Sequence, residues 1–202
     1  MYKKIGIVDD GSKNASFAAR VGVEFAKSQK GSLTIMGIMD ILTPMKPYFA
    51  MGGEKWNEEM DVFRGSFSRD RTRIKKILSE DEKFAKGRGV SSSTMFLEGQ
   101  PSEQISEQSK RFDLLFVGAY SKSKKRKSED VSGKLARDCK CDFFVARNEE
   151  IKEILLALGG SPLDKDVVEK GILFARCFGA HLTALHVVRP LSGNVDKSIL
   201  RR

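Results

Sequence analysis

Short apolar runs alternate with longer segments of helical periodicity along the first 148 residues of the chain. Residues 5–8 and 33–39 have the length and the apolar composition of buried strands. Between them, apolar side chains recur along one helical face, at Phe17, Val21 and Phe25. A strand, a helix and a strand in this order predict a βαβ unit, whose crossover places the two strands parallel in one sheet.

The same alternation continues beyond this unit. Residues 40–53 are rich in Pro, Met and Gly and predict a loop. A long amphipathic helix is expected to begin at Trp56, with a bend or an interruption near Gly65. Shorter helices are expected at 101–111 and 131–138, and further strands at 92–97, 114–117 and 143–145. The pattern predicts an α/β fold with an open, doubly wound, parallel five-stranded sheet of Rossmann-like type.

The chain also repeats itself. Shifted by 149 positions and without a gap, residues 3–39 lie over residues 152–188. Any two βαβ units share a general pattern, but a gapless match of this length favours duplication. The identical pairs include Gly11/Gly160, Ser12/Ser161, Gly22/Gly171, Phe25/Phe174, Ala26/Ala175, Leu33/Leu182 and Thr34/Thr183.

The repeat divides the chain into a complete domain, residues 1–148, and a partial second repeat, residues 149–202. A strand, a helix and a strand alone leave sheet edges and an apolar face uncovered. We therefore expect the partial βαβ repeat to pack against the first domain or against another chain, as a homodimer or with a partner that completes it. A truncated tandem protein is the other interpretation.

Charge and cysteine content narrow the classes of function. The net charge is +9, from 36 basic and 27 acidic residues, and five basic residues lie within 122–127. One charged loop explains most of this excess, and with only Tyr120 nearby for stacking we do not expect nucleic-acid binding. The three cysteines lack zinc spacing, so no metal is expected. Without a signal peptide or an apolar run of ~20 residues, a cytoplasmic protein with no membrane association is expected.

In order and spacing, the motifs resemble those of the universal stress protein family, over residues 2–147 and again over 150–190. The motifs are KKIGIVDDGS, LTIMGIMD, LEGQPSEQI, DLLFVGAYS and CDFFVAR, with EILLALGGSP and HLTALHVV repeating the first two. The resemblance implies a five-stranded parallel sheet of the adenine nucleotide alpha hydrolase-like type, and dimerisation or tandem pairing of domains. It also implies a cytoplasmic regulatory role in stress responses, without enzymatic activity.

Many members of this family bind ATP with a Gly-x-x-Gly loop after the fourth strand, followed by a Gly-Ser or Gly-Thr pair. Carried over by position, Gly118 matches the first glycine and Asp10 matches the acid after the first strand. Ser121 stands in the place of the second glycine, and Glu129 and Asp130 stand in the place of the Gly-Ser pair. Only one of the three glycines is present, so the resemblance implies a degenerate nucleotide site.

The residue types support the same prediction. Glycine lets backbone N–H groups approach a phosphate closely, whereas Asp130 would cap the helix end that phosphates need and would repel them. We expect no bound cofactor, with ATP or AMP binding by a sensor protein as the alternative and polyanion binding through 122–127 as a weaker one. The positions at which a nucleotide would be bound are Asp10, Gly11, Met39, Gly118, Ser121 and Asp130.

Overall fold

The computed structural model describes residues 2–42, 44–45, 56–119 and 131–186, without the side chains of 56–64 and 131–132. The chain separates into two compact units, Met1–Glu149 and Glu150–Arg202. In the part of the chain that is described, no helix is both long and apolar enough to cross a membrane.

The first unit contains one parallel sheet of five strands. Its strands lie in the order β3-β2-β1-β4-β5, which confirms the predicted doubly wound fold. The strands are β1 (Lys4–Val8), β2 (Ser32–Met39), β3 (Ser92–Glu98), β4 (Leu114–Gly118) and β5 (Asp142–Ala146). The helices are α1 (Lys13–Gln29), α2 (Trp56–Gly87), α3 (Pro101–Ser109) and α4 (Val131–Asp138).

Helices cover both faces of this sheet. On one face, Gly22 of α1 lies directly on Ile7, and Gly37 of β2 lies against Ile74 of α2. On the other face, apolar side chains of α3 and α4 pack on β2 and β4 in one buried cluster. That cluster comprises Met36, Ile38, Ile105, Leu115, Val117 and Leu135. Strands β1 and β4 are central and therefore almost wholly apolar.

Helix α2 runs without interruption from Trp56 to Gly87, so an interruption near Gly65 is wrong, whereas a bend there stays a prediction. A glycine inside a helix costs only about 1 kcal/mol relative to alanine, because it keeps the N–H group that the helix needs. Contacts of Ile74 and Leu78 with the sheet outweigh that cost. Most of the predicted loop 40–53 lies outside the described residues.

The second unit contains β6 (Glu153–Leu158), α5 (Asp164–Phe178) and β7 (His181–His186), with the two strands paired parallel. Its register equals that of β1 and β2 shifted by 149 positions: Lys4 pairs with Ser32, and Glu153 pairs with His181.

Backbone details of the two units also coincide at this shift. The turn glycines have nearly the same positive φ, 80° at Gly11 and 77° at Gly160. Lys30 and Gly179 both end their helices in the left-handed conformation. The second unit therefore repeats the local structure of the first, and its origin by duplication stays a prediction.

Candidate functional site

The candidate site lies where β1 and β4 end, beside the turn from β1 to α1. Asp9 and Asp10 begin this turn but point in different directions: Asp9 is 1% exposed, whereas Asp10 faces solvent. The Oδ1 atom of Asp9 accepts the N–H of Gly11 at 2.6 Å, and that of Asp10 accepts the N–H of Ser12 at 2.9 Å. Asp10 thus holds the turn.

Gly11 and Met39 are also engaged within the protein. Gly11 has φ of +80°, and a Cβ atom there would stand 2.5 Å from Cδ1 of Ile77. Met39 has a buried side chain, and its carbonyl accepts the N–H of Gly99 at 3.0 Å. Turn geometry and packing against α2 therefore explain Gly11, and strand packing explains Met39.

Gly118 ends β4 directly against the first turn of α1. A Cβ atom at Gly118 would stand 2.5 Å from the nitrogen of Ala15 and 2.6 Å from the carbonyl carbon of Asn14. The Asn14 side chain also donates to the carbonyl of Ala119 at 2.7 Å. Close approach of two backbones thus requires glycine here, whether or not a phosphate binds.

The structure brings together four of the six predicted positions at this edge of the sheet: Asp10, Gly11, Met39 and Gly118. The other two, Ser121 and Asp130, lie outside the described residues, as does the basic run 122–127. Within the described ranges, no group of three or more His, Cys, Asp or Glu side chains could hold a metal ion.

The sequence reasoning missed two residues of α2. Arg73 donates from Nη1 to the carbonyl of Asp10 at 2.9 Å, and its Nε lies 3.6 Å from Asp70. It places a guanidinium beside the β1–α1 turn. Asp81 lies two turns further along the helix, and its carboxyl group interacts electrostatically with that of Asp9.

The carboxyl groups of Asp9 and Asp81 both have a raised pKa. Burial, and then the neighbouring charge of Asp9, raise the pKa of Asp81 to about 7. Burial also raises the pKa of Asp9, and the N–H of Gly11 opposes that effect. The sequence carries a signal for this pair, because Asp81 follows Ile74 by seven and Ile77 by four positions on the apolar stripe of α2.

The cysteines that precede β5, at the opposite edge of the sheet, do not form a reactive thiol site. The sulfur atoms of Cys139 and Cys141 lie 3.7 Å apart, and both side chains pack against the buried cluster under α3 and α4. Burial raises the pKa of Cys141 to about 12, which keeps its thiol protonated and poorly nucleophilic at neutral pH. These cysteines therefore act as half-buried residues beside the core.

Comparisons with known proteins agree with this architecture. A universal stress protein from Archaeoglobus fulgidus DSM 4304 matches 98% of this chain and 69% of its own, with 16% identity and a TM-score of 0.64. The universal stress protein UspA from Lactobacillus plantarum matches 72% of this chain and 98% of its own, with 17% identity and a TM-score of 0.58.

A universal stress protein from Archaeoglobus fulgidus, solved in complex with dAMP, matches 72% of this chain and 98% of its own, with 14% identity and a TM-score of 0.49. The search of curated proteins gave no match. The family model described as "Universal stress protein family" matches residues 1–147. The chain therefore belongs to the universal stress protein family.

Proposed function

We propose that this protein is a non-enzymatic regulatory and interaction module of the stress response, whose nucleotide site is degenerate. The observation that carries the proposal is an uncovered sheet face in the second unit. Glu153, Leu155 and Ala157 of β6 and His181, Thr183 and Leu185 of β7 are all exposed, and we call these six residues the bare face. Leu155 is 61% and Leu185 is 46% exposed.

The equivalent face of the first unit is closed. Leu185 corresponds to Met36, which is completely buried in the cluster under α3 and α4. Leu155 corresponds to Gly6, against which Leu115 and Phe112 pack. Exposed leucines at such positions are typical of a surface that binds a partner. The second unit therefore fits a partner that supplies what β4, α3 and α4 supply in the first.

The second unit has Leu155 where the first unit has Gly6, and this difference limits which partners can pack on the bare face. In the first unit, Leu115 of β4 occupies the space that a side chain at position 6 would fill. Leu155 fills this space itself, so a strand added to β6 needs a small residue opposite it. A second copy of β4 does not meet that need. The expected partner is thus another half-sheet, or a flat apolar surface of a second copy.

Sedimentation of the purified chain, combined with limited proteolysis, tests the interaction proposal. We expect a self-associating species, or a monomer that becomes resistant to protease within residues 150–186 when a partner binds. A strictly monomeric chain that is cut rapidly in this range under every condition would contradict the proposal.

The degenerate nucleotide site is supported by the internal contacts of the four described candidates. Asp10 and Gly11 form a tight turn, Met39 is buried, and Gly118 is required by the approach of α1. Each residue type is explained without a ligand. We therefore expect calorimetric titration with ATP and with AMP to give no sub-millimolar binding at neutral pH.

The alternative function is an adenine-nucleotide sensor that uses Asp10, Gly118, Ser121 and the basic run. The observation in its favour is the guanidinium of Arg73 at the β1–α1 turn. There it would add its positive charge to those of the basic run in binding a phosphate. Sub-millimolar binding of ATP or AMP would establish this alternative. In that case, the double substitution of Lys124→Ala and Lys125→Ala should weaken nucleotide binding. An unchanged affinity would show that these two lysines do not contribute to the site.

The remaining predictions follow from the same reasoning. A cytoplasmic location stays a prediction from the sequence, and polyanion binding by residues 122–127 stays the weaker alternative. Mobility-shift measurements with nucleic acid at two salt concentrations test the latter, because phosphate contacts weaken steeply with salt. We expect no salt-sensitive shift at physiological ionic strength.

A further inference from the structure

Three residues of α2, spaced by four, contact three consecutive residues of the β1–α1 turn. Arg73 donates to the Asp10 carbonyl at 2.9 Å. A Cβ atom at Gly11 would stand 2.5 Å from Cδ1 of Ile77, and the carboxyl group of Asp81 interacts with that of Asp9. Because residues four apart share one face of a helix, a single stripe of α2 holds the whole turn. The position of α2 therefore controls the geometry of the Asp10 and Gly11 backbone.

The last of these contacts needs a proton. Two ionised carboxylates only accept hydrogen bonds, so Asp9 and Asp81 can bond only if one of them is protonated. Asp9 is the better site for the negative charge, because its Oδ1 accepts the N–H of Gly11 at 2.6 Å and this bond lowers its pKa. The Oδ2 atom of Asp81 is sealed from solvent, and no N–H or O–H group of the described residues donates to it. A proton on Asp81 satisfies both groups.

The surroundings of the pair favour one charge rather than two. From the turn, Asp10 adds a negative potential at Asp9, and from α2, Glu80 adds one at Asp81. From β2 the pair meets an uncharged group, since the Met36 carbonyl accepts the N–H of Asp9 at 3.0 Å. Arg73 directs Nη1 at the Asp10 carbonyl and its Nε toward Asp70. None of these contacts brings a cation to the carboxyl group of Asp9 or of Asp81.

We propose that Asp9 and Asp81 form a proton-operated latch between the end of β1 and helix α2. With one shared proton, the pair holds α2 against the β1–α1 turn. When the proton leaves, two negative charges lie in a buried space and α2 separates from the turn. The latch depends on the docking of α2 and not on nucleotide or partner binding.

The pH range of the latch follows from proton linkage. An undocked Asp81 ionises near the ordinary value for Asp, about 4, whereas docking raises its pKa to about 7. The docked state therefore binds one more proton between these values. Its opening constant should rise about tenfold per pH unit across this range and become constant above about pH 7. Acidification below neutrality closes the latch.

Amide hydrogen exchange of the full chain tests the latch. The rates for residues 74–82 of α2 are compared between the wild type and Asp81→Asn at each pH from 5 to 8, so that the intrinsic pH dependence of exchange cancels. The carboxamide of this variant can donate to Asp9 without titrating. We expect the ratio of wild-type to variant opening to rise by about 50-fold from pH 5 to pH 7 and to level off by about pH 8.

Glu82→Gln is the matched control. It removes one charge from the same helix, at a residue that pairs with Lys86 at 2.9 Å. It should keep the pH profile of the wild type. A wild-type profile parallel to that of Asp81→Asn would overturn the latch, and so would a Glu82→Gln profile as flat as that of Asp81→Asn.

Two further measurements keep the test decisive if Asp81→Asn fails to fold. Asp9→Asn removes the neighbouring charge and supplies an amide that can donate to the Asp81 carboxylate, so it should lower the pKa of Asp81 and weaken the pH dependence of opening. Carbon-detected NMR of the wild-type carboxyl groups should show one proton leaving Asp81 near neutral pH. Titration of both groups below pH 5 would overturn the proposal.

Discussion

Gly118 at the end of β4 lies against the backbone of Ala15 in the first turn of α1. A Cβ atom at Gly118 would stand 2.5 Å from the Ala15 nitrogen, closer than van der Waals contact permits. The glycine that resembles the start of a phosphate loop is therefore needed to seat α1 on the sheet. Its presence alone is not evidence for nucleotide binding.

Gly118→Ala should destabilise the first unit, because the atoms in its way belong to the backbone and cannot rotate aside. We expect a loss of about 1–3 kcal/mol in the free energy of unfolding, measured with urea. Gly65→Ala is the control, since Gly65 lies in α2 with nothing within 4 Å of the added Cβ. That substitution should stabilise the protein by about 0.5–1 kcal/mol. Equal effects of the two would contradict the close approach.

The Asp9–Asp81 pair should make the protein less stable as pH rises. The pKa of Asp81 is raised to about 7 in the folded state, so folding takes up a proton between about pH 4 and pH 7. Stability from this source is complete below about pH 4 and is lost on approaching pH 7. Allowing for partial solvent screening, we expect wild type to lose about 1–3 kcal/mol relative to Asp81→Asn between pH 5 and pH 8, measured by urea unfolding. Parallel curves would argue against a raised pKa.

Asp113 should show the opposite dependence on pH. Its Oδ2 accepts the backbone N–H groups of Lys3 at 2.7 Å and of Lys4 at 2.8 Å, which fixes the start of β1 beside β4. The N–H of Lys4, with that of Lys3, lowers the pKa of Asp113 despite some burial. Its stabilisation is therefore present above about pH 4 and is lost as pH falls through the lowered pKa.

Asp113→Asn should lower stability at pH 7 by about 1 kcal/mol, since the carboxylate is exposed and screened by solvent. The difference from the wild type should shrink toward about pH 2. Thermal unfolding at pH 7 and at low pH measures both values. A difference independent of pH would show that the charge of Asp113 contributes nothing.

Leu155→Glu should weaken association through the bare face without unfolding the first unit. Leu155 is 61% exposed, so a glutamate there costs little folding energy but opposes burial in an interface. We expect the dissociation constant to rise about tenfold or more in sedimentation equilibrium. Leu163→Glu is the control, because Leu163 is 71% exposed but precedes α5 and lies outside the bare face. Equal weakening by both would point to general hydrophobic association.

Local patterns gave most of the fold. The apolar run 114–117 indicated a strand, and the structure has that strand at Leu114–Gly118. The expected break at Gly65 failed because a glycine weakens a helix only slightly and α2 is held by the sheet. Hydrophobic periodicity predicts helices and strands well because it results from the burial of one face of the element. Whether a single glycine interrupts a helix depends instead on contacts with residues distant in sequence.

The sequence by itself determined the alternation of strands and helices, the 149-residue repeat and the family. These depend on residue type and spacing along the chain. Only the tertiary structure decided that Gly118 serves α1, that Asp81 meets Asp9, and that Leu155 stays exposed where Gly6 is covered. Each of these facts is a distance between residues remote in sequence. Such distances are fixed by packing of whole elements, and no local pattern contains them.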